Sequence, residues 1–180
     1  FFVNITNISG AVAGDAQGLG TIINDDPTPI YLIQGSGPAT LLSGTHTIQG
    51  VVIGDFEYQG GTPVMLNGFY VQELVGDNDP ATSDGVFVYT GTNPKGVNLG
   101  DQVRVTGTVN EYQDQTQINV ASPANITVLG TGYSITPVDI SLPFSSSTEP
   151  EQYEGMLVRF NQTLHVTEHY LLGQIGRAHV

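Results

Sequence analysis

The stretch Gln102–Glu111, QVRVTGTVNE, does most to restrict what this chain can become. Val103, Val105 and Val109 fall on one face of an extended strand, with Gly107 in phase. Arg104, Thr106, Thr108 and Asn110 fall on the other. A period of two is the mark of a strand with one buried and one wet face. A glycine in mid-strand predicts a bulge or a sharp coil, as at the corner of a small barrel. The rest of the chain repeats this grammar. Its 23 Gly and 10 Pro are spread throughout, and no stretch carries an apolar i, i+3, i+4 pattern over three turns. The chain is therefore predicted to be all-β.

Within 29–129 the strand candidates are Tyr31–Gln34, His46–Phe56, Gly68–Leu74, Gly85–Tyr89, Gln102–Glu111, Thr116–Val120 and Ile126–Leu129. Long early strands, strong bending and little helix fit a small Greek-key barrel of the OB type over residues 27–133. A β-sandwich is the competing arrangement. Residues 1–26 read as two strands, Phe2–Ile8 and Gly20–Ile23, around the turn AGDAQG. Two strands alone are not stable in water, so they are expected to be the tail of a preceding domain. The prolines of Asp25-Asp26-Pro27-Thr28-Pro29 read as a linker. Residues 134–150, rich in Pro and Ser, read as a second one. Residues 151–174 begin a further β segment that is cut off, and the whole reads as a piece of a longer chain.

Composition narrows the chemistry. There is no Cys, which excludes zinc-thiolate sites, disulfides and thiol nucleophiles. Seventeen acidic residues against four Lys and Arg give a net charge of −13. Such a surface repels phosphate backbones and anionic lipid and favours divalent cations where carboxylates gather. No apolar run is long enough to span a bilayer, so no membrane partner is expected.

Three groupings are candidates for function. Asp77, Asp79 and Asp84 lie in the stretch DNDPATSD, which offers hard oxygen ligands for Ca²⁺. It lacks the glycine and distal glutamate of an EF-hand, and its residues equally suit a solvated hairpin turn. Phe69, Tyr70, Phe87 and Tyr89 sit in neighbouring strands, and alternation sends Phe69 and Tyr70 to opposite faces. Tyr70 and Tyr89, with Arg104, are the candidates for stacking and holding nucleic acid; Lys95 is the other nearby cation. His165 and His169 share a strand face but stand about 13 Å apart, too far for shared ligation. With Glu168 and His46 they read as ordinary polar positions. Four Asn-X-Ser/Thr sequences read as composition. No Ser/His/Asp triad, phosphate loop or zinc motif is present, so no catalytic residue is assigned.

Two segments resemble known families. FFVNITNIS with GLGTIINDD is similar to the last two strands of a Calx-beta domain. IQGSGPATLLSGTHTIQGVVIGDF, GFYVQE, DNDPATSDGVFVYTG and GDQVRVTGTVNEY, in that order, resemble the OB-like domain of bacterial extracellular nucleases. EGMLVRFNQTLHVTEHYLLG is similar to the segment that follows it there. The first resemblance implies that Asp25 and Asp26 belonged to a calcium site whose other ligands lie upstream. The second implies a secreted bacterial protein in which this region precedes a catalytic domain of the endonuclease/exonuclease/phosphatase type. That domain would use Mg²⁺ or another divalent metal and act on DNA or RNA. This region would be non-catalytic, spacing or presenting nucleic acid, and would bind it weakly or not at all by itself. The alternative is a calcium-stabilised extracellular adhesion or glycan-binding module. Oligomeric state is left open. The ending IGRAHV, residues 175–180, breaks from the resemblance and is similar to a translated sequencing adapter, ATC GGA AGA GCA CAC GTC. Arg177 and His179 are therefore given no role.

Overall fold

The structure, a computed structural model, describes residues 2–7, 9–12, 14–15, 17–21, 26–60 and 66–165. Strands β1, Phe2–Asn4, and β2, Gln17–Leu19, pair antiparallel as a small ribbon. A single helical turn, α1, Ile30–Gln34, precedes the long strand β3, Gly44–Phe56. Then come β4, Gly68–Gln72; β5, Gly85–Tyr89; β6, Gln102–Tyr112; and β7, Gln115–Asn119. Strand β8, Ile126–Gly130, follows. Farther on, β9, Val138–Ile140, and β10, Val158–Phe160, pair parallel. Among the described residues no helix is long and apolar enough to cross a membrane.

Five strands close on themselves. β3 pairs antiparallel with both β4 and β6, β4 with β5, and β6 with β7, while β5 and β7 run parallel. Around the barrel the order is β3-β4-β5-β7-β6 and back to β3. This is a closed Greek-key barrel of the OB kind, not a sandwich. β3 can serve two partners because it is 13 residues long. Its register with β4 shifts between Val52 and Gly54, which bends it from one neighbour to the other.

Alternation places Ile48, Val52, Phe69, Val71, Val86, Val88, Val103, Val105, Val109 and Ile118 inside, all in one buried cluster. Of the bulge or coil expected at Gly107, the bulge is absent from its pairing. There β6 changes partner, from β8 over Gln102–Val105 to β7 over Thr108–Tyr112. A Cβ on Gly107 would stand 2.5 Å from Ile118 Cγ2 and 2.7 Å from the Asn119 carbonyl oxygen. The glycine is needed for this close approach, and the register shifts lie elsewhere.

One expected strand is a helix. Tyr31–Gln34 lies within α1, whose Ile30, Ile33 and Gln34 are buried. Spacing of i, i+3, i+4 puts these three on one side, and Ile30 and Ile33 join the core cluster. Within the expected second linker, Val138–Ile140 is a strand, and it is the partner of Val158–Phe160. Arg159 ties the pair with a fork to Asp139, Nε to Oδ1 at 2.6 Å and Nη2 to Oδ2 at 2.9 Å. Of the expected strand Gly20–Ile23, Gly20 and Thr21 are not in a strand. Pairing falls at Gln17–Leu19, and residues 22–25, Asp25 among them, lie outside the described residues.

Candidate functional site

With Phe69, Val71, Val86 and Val88 pointing inward, Tyr70, Phe87 and Tyr89 face outward on the β4–β5 wall. Tyr70, Phe87 and Gln117 form one cross-strand rung over β4, β5 and β7. The Tyr70 and Phe87 rings are tilted with centroids 4.9 Å apart, and Phe56 meets Tyr70 edge-on at 6.0 Å. The Tyr70 hydroxyl accepts from Gln115 Nε2 at 2.9 Å. Burial pushes its pKa above the usual value for tyrosine, with the nearby Glu154 adding to the rise. Gln117 and Asn119 place side-chain amides on the same wall, joined at 2.6 Å. Tyr89 is 38 % exposed, whereas Phe87 is only 4 % exposed although it faces outward.

Part of the cover belongs to the chain itself. A 3-10 turn, Glu149–Tyr153, leads into Glu154-Gly155-Met156-Leu157, which lies across one end of the wall. A Cβ on Gly85 would stand 2.4 Å from the carbonyl carbon of Gly155, so backbone rests on backbone. Gly155 itself has φ +69°, where a side chain is strained. The Glu154 carbonyl accepts from Ser83 Oγ at 2.6 Å and from Gln34 Nε2 at 3.4 Å. Leu157 N donates to Gln72 Oε1 at 2.9 Å. This strap thus touches α1, β4, β5 and the loop before β5. Beside it Gly155, Met156 and Leu157 line a groove of about 300 Å³ with Ile53, Gly54, Phe56 and Tyr70.

The strap also brings in a carboxyl group. Glu154 Oε1 accepts from the backbone N–H of Thr116 at 2.8 Å, while the Thr116 hydroxyl donates to Glu111 Oε2 at 3.0 Å. Two acidic side chains therefore converge on one buried threonine. Glu111 Oε2 also accepts from Thr40 N at 3.2 Å, but its Oε1 is buried with no hydrogen-bond partner. Burial, reinforced by the charges of Glu111 and Glu151, raises the Glu154 pKa to about 7. The Glu151 pKa is raised as well, by burial and by Glu111 and Asp114.

Asp77, Asp79 and Asp84 lie in the β4–β5 connection, where their carboxylates bind the loop to itself. Asp77 Oδ1 accepts from Asp79 N at 2.9 Å, and its Oδ2 from Thr82 Oγ1 at 3.1 Å. Asp79 Oδ1 accepts from Ala81 N at 2.9 Å, and Asp84 Oδ1 from Asp77 N at 3.4 Å. These are turn contacts of the kind Asp makes in hairpin loops. No three acidic or histidine side chains among the described residues gather into a group able to hold a metal ion. Glu73 comes close by, and its Oε1 accepts the first N–H of α1, from Ile30, at 2.6 Å. Burial raises the pKa values of both Glu73 and Asp84, with neighbouring carboxylates adding to each. A hollow of about 430 Å³ lies here, lined by Tyr31, Gln49, Glu73 and Asp77 among others. Asp26 is exposed, apart from this loop in sequence, and Asp25 lies outside the described residues.

The nucleic-acid candidates are not one site. Tyr70 and Tyr89 share the β4–β5 wall, but Arg104 stands on the β3–β6 side, opposite Gln49, to whose Oε1 it donates at 3.1 Å. Lys95 is exposed, and its backbone N–H is held by Glu57, which is itself buried. His165 is exposed; Glu168 and His169 lie outside the described residues. His46 Nδ1 lies 3.2 Å from Thr28 Oγ1, and its Nε2 lies 3.1 Å from the Ser43 carbonyl. Sequence reasoning missed Glu154, Glu111, Thr116 and Gln34. Their partners lie far away along the chain, and no local pattern marks them. No protein-family model matches the sequence, and no curated protein is significantly similar to it.

Proposed function

We propose that this chain is a non-catalytic accessory module of a secreted nuclease, serving to hold the segment that follows the barrel at a fixed distance and direction. The observation that carries this reading is the strap. Here the chain returns and seats Glu154–Leu157 across β4 and β5 by backbone contact and hydrogen bonds to Ser83 and Gln72. While seated, such a clamp makes the stretch after the barrel a rigid arm. The nuclease context comes from the resemblance of the barrel motifs. Direct binding of a polyanion is disfavoured by the net charge of −13 and by the separation of Arg104 from the two tyrosines.

The chain has no cysteine, so labels can be placed at will. Spin labels at Thr92→Cys and Asn161→Cys should give a single narrow distance distribution at pH 5. A broad distribution would overturn the spacer reading. Incubation of the purified chain with plasmid and single-stranded DNA plus Mg²⁺ should leave both intact. Cleavage that survives repurification would end the non-catalytic assignment.

A further inference from the structure

We propose that the strap is a gated cover, held by the protonation state of Glu154. With this carboxyl neutral the strap lies across β4, β5 and β7; with it charged the strap lifts and frees the outer faces of Phe87 and Tyr70. The inference rests on the spacer reading and adds a joint to it.

The geometry is specific. The side chain of Glu154 is the strap's link to β7, through Thr116 N, and Thr116 is 2 % exposed. The same threonine is already bound by Glu111 from β6, whose second oxygen is buried without a partner. The Thr116 N–H favours a charged Glu154, but burial and the neighbouring Glu111 carboxylate outweigh that one donor. The other titratable groups around it are Glu151 on the strap's own turn, Tyr70 on β4, and Asp114 at the β6–β7 turn, which acts through Glu151. The carboxylates acting on Glu154, Glu111 and Glu151, both oppose its ionisation. The strap's remaining contacts are neutral: Ser83, Gln34, Gln72 and the Gly85 backbone.

The direction follows from linkage. Docking raises the Glu154 pKa from 4.5 to about 7, so the docked form holds its proton more tightly. Docking is strongest below about pH 4.5, weakens as pH rises through the interval to about 7, and levels off above it. A shift of this sign changes the opening equilibrium by roughly tenfold or more across that interval, after allowance for partial exposure.

The test uses the full chain with a single spin label at Gln152→Cys. The expected result is a mobile spectral component that grows roughly tenfold from pH 4.5 to pH 8, while a label at Thr92→Cys and the far-ultraviolet circular dichroism stay constant. Glu154→Gln keeps the strap docked and removes the pH dependence. Gly85→Ala displaces the strap at every pH and marks the signal of the open form. If Glu154→Gln does not fold, Glu111→Gln serves instead, since removing the neighbouring charge must shrink the pH response. A wild-type strap whose mobility ignores pH, an undiminished response in the neutral variant, or a barrel that loosens together with the strap would each overturn the latch. The Thr92/Asn161 distance at pH 5 tests the spacer separately, so failure of one reading is distinguishable from failure of the other.

Discussion

Gly85 and Gly155, seventy residues apart in sequence, meet so closely that a methyl group on the first would lie 2.4 Å from the carbonyl carbon of the second. Gly155 has a positive φ that already favours glycine, whereas Gly85 does not. Gly85 begins a regular strand, where any β-former would serve. The contact requires bare backbone on both sides.

Gly85→Ala should therefore lower stability by about 1–3 kcal/mol, the usual range for overpacking a filled site. Gly37→Ala, at an exposed position where an added Cβ meets nothing within 4 Å, is the control and should be neutral or slightly stabilising. Denaturant melts of the two variants decide it; equal midpoints would mean that the contact yields freely.

The acidic loop leads to a different expectation. Asp77→Ala removes acceptors for Asp79 N and Thr82 Oγ1 and should cost about 1 kcal/mol. Because these oxygens already serve the loop, millimolar CaCl₂ in 0.15 M NaCl should shift the thermal midpoint of the wild type and of Asp77→Asn/Asp79→Asn by the same small amount. A rise confined to the wild type would make the loop a calcium site.

Glu57 should be among the costliest surface-loop positions to truncate. It is 2 % exposed and accepts the consecutive N–H groups of Lys95, Gly96 and Val97, at 2.6, 2.7 and 3.2 Å. Glu57→Ala strands these donors, and a loss of about 2–4 kcal/mol is expected. Glu57→Gln, which keeps one acceptor oxygen, should lose less. Hydrogen exchange at residues 95–97 would rise in the same order.

Stability should fall as pH rises from 5 to 8. Glu73, Asp84, Glu151 and Glu154 all have pKa values raised by burial. Each binds its proton more tightly folded than unfolded. Its contribution is full below the unfolded value and lost as pH climbs through the folded one. Asp139 and Glu149 are shifted the other way by hydrogen bonds from Arg159 and Ser145. Their contributions are present above the unfolded pKa and fade as pH drops toward the folded one. Thermal midpoints measured from pH 3 to 8 should peak in the mildly acidic range, and 0.5 M NaCl should flatten only the general repulsion among carboxylates.

Much of the barrel was legible because its strands obey a period of two. Alternation predicts Gly85–Tyr89 with its true bounds and stops Gln102–Glu111 one residue short of the strand's end at Tyr112. Ile30–Gln34 was not legible. An apolar run this short fits helix and strand alike, and the space at the barrel's end decides between them. The site was less readable still. Alternation separates Phe69 from Tyr70, but only the cross-strand register shows that Tyr70 shares a wall with Tyr89 and that Arg104 stands away from both. The bond from Gln34 to the Glu154 carbonyl spans 120 residues, and Glu111 reaches Thr40 across 71. No local pattern encodes such pairs.

The antiparallel match of β3 with β6, from Gly44↔Val109 to Val51↔Gln102, has a consequence for how the molecule is made. The first strand of the barrel finds its second neighbour only after the chain has looped through β4 and β5. Both sides of that seam must be held in register before the interior is sealed. Contacts so distant along the chain place such a domain toward the slow end of small-protein folding, in the range of about milliseconds to seconds. During that interval the half-built sheet exposes the very strand borders that the finished ring conceals.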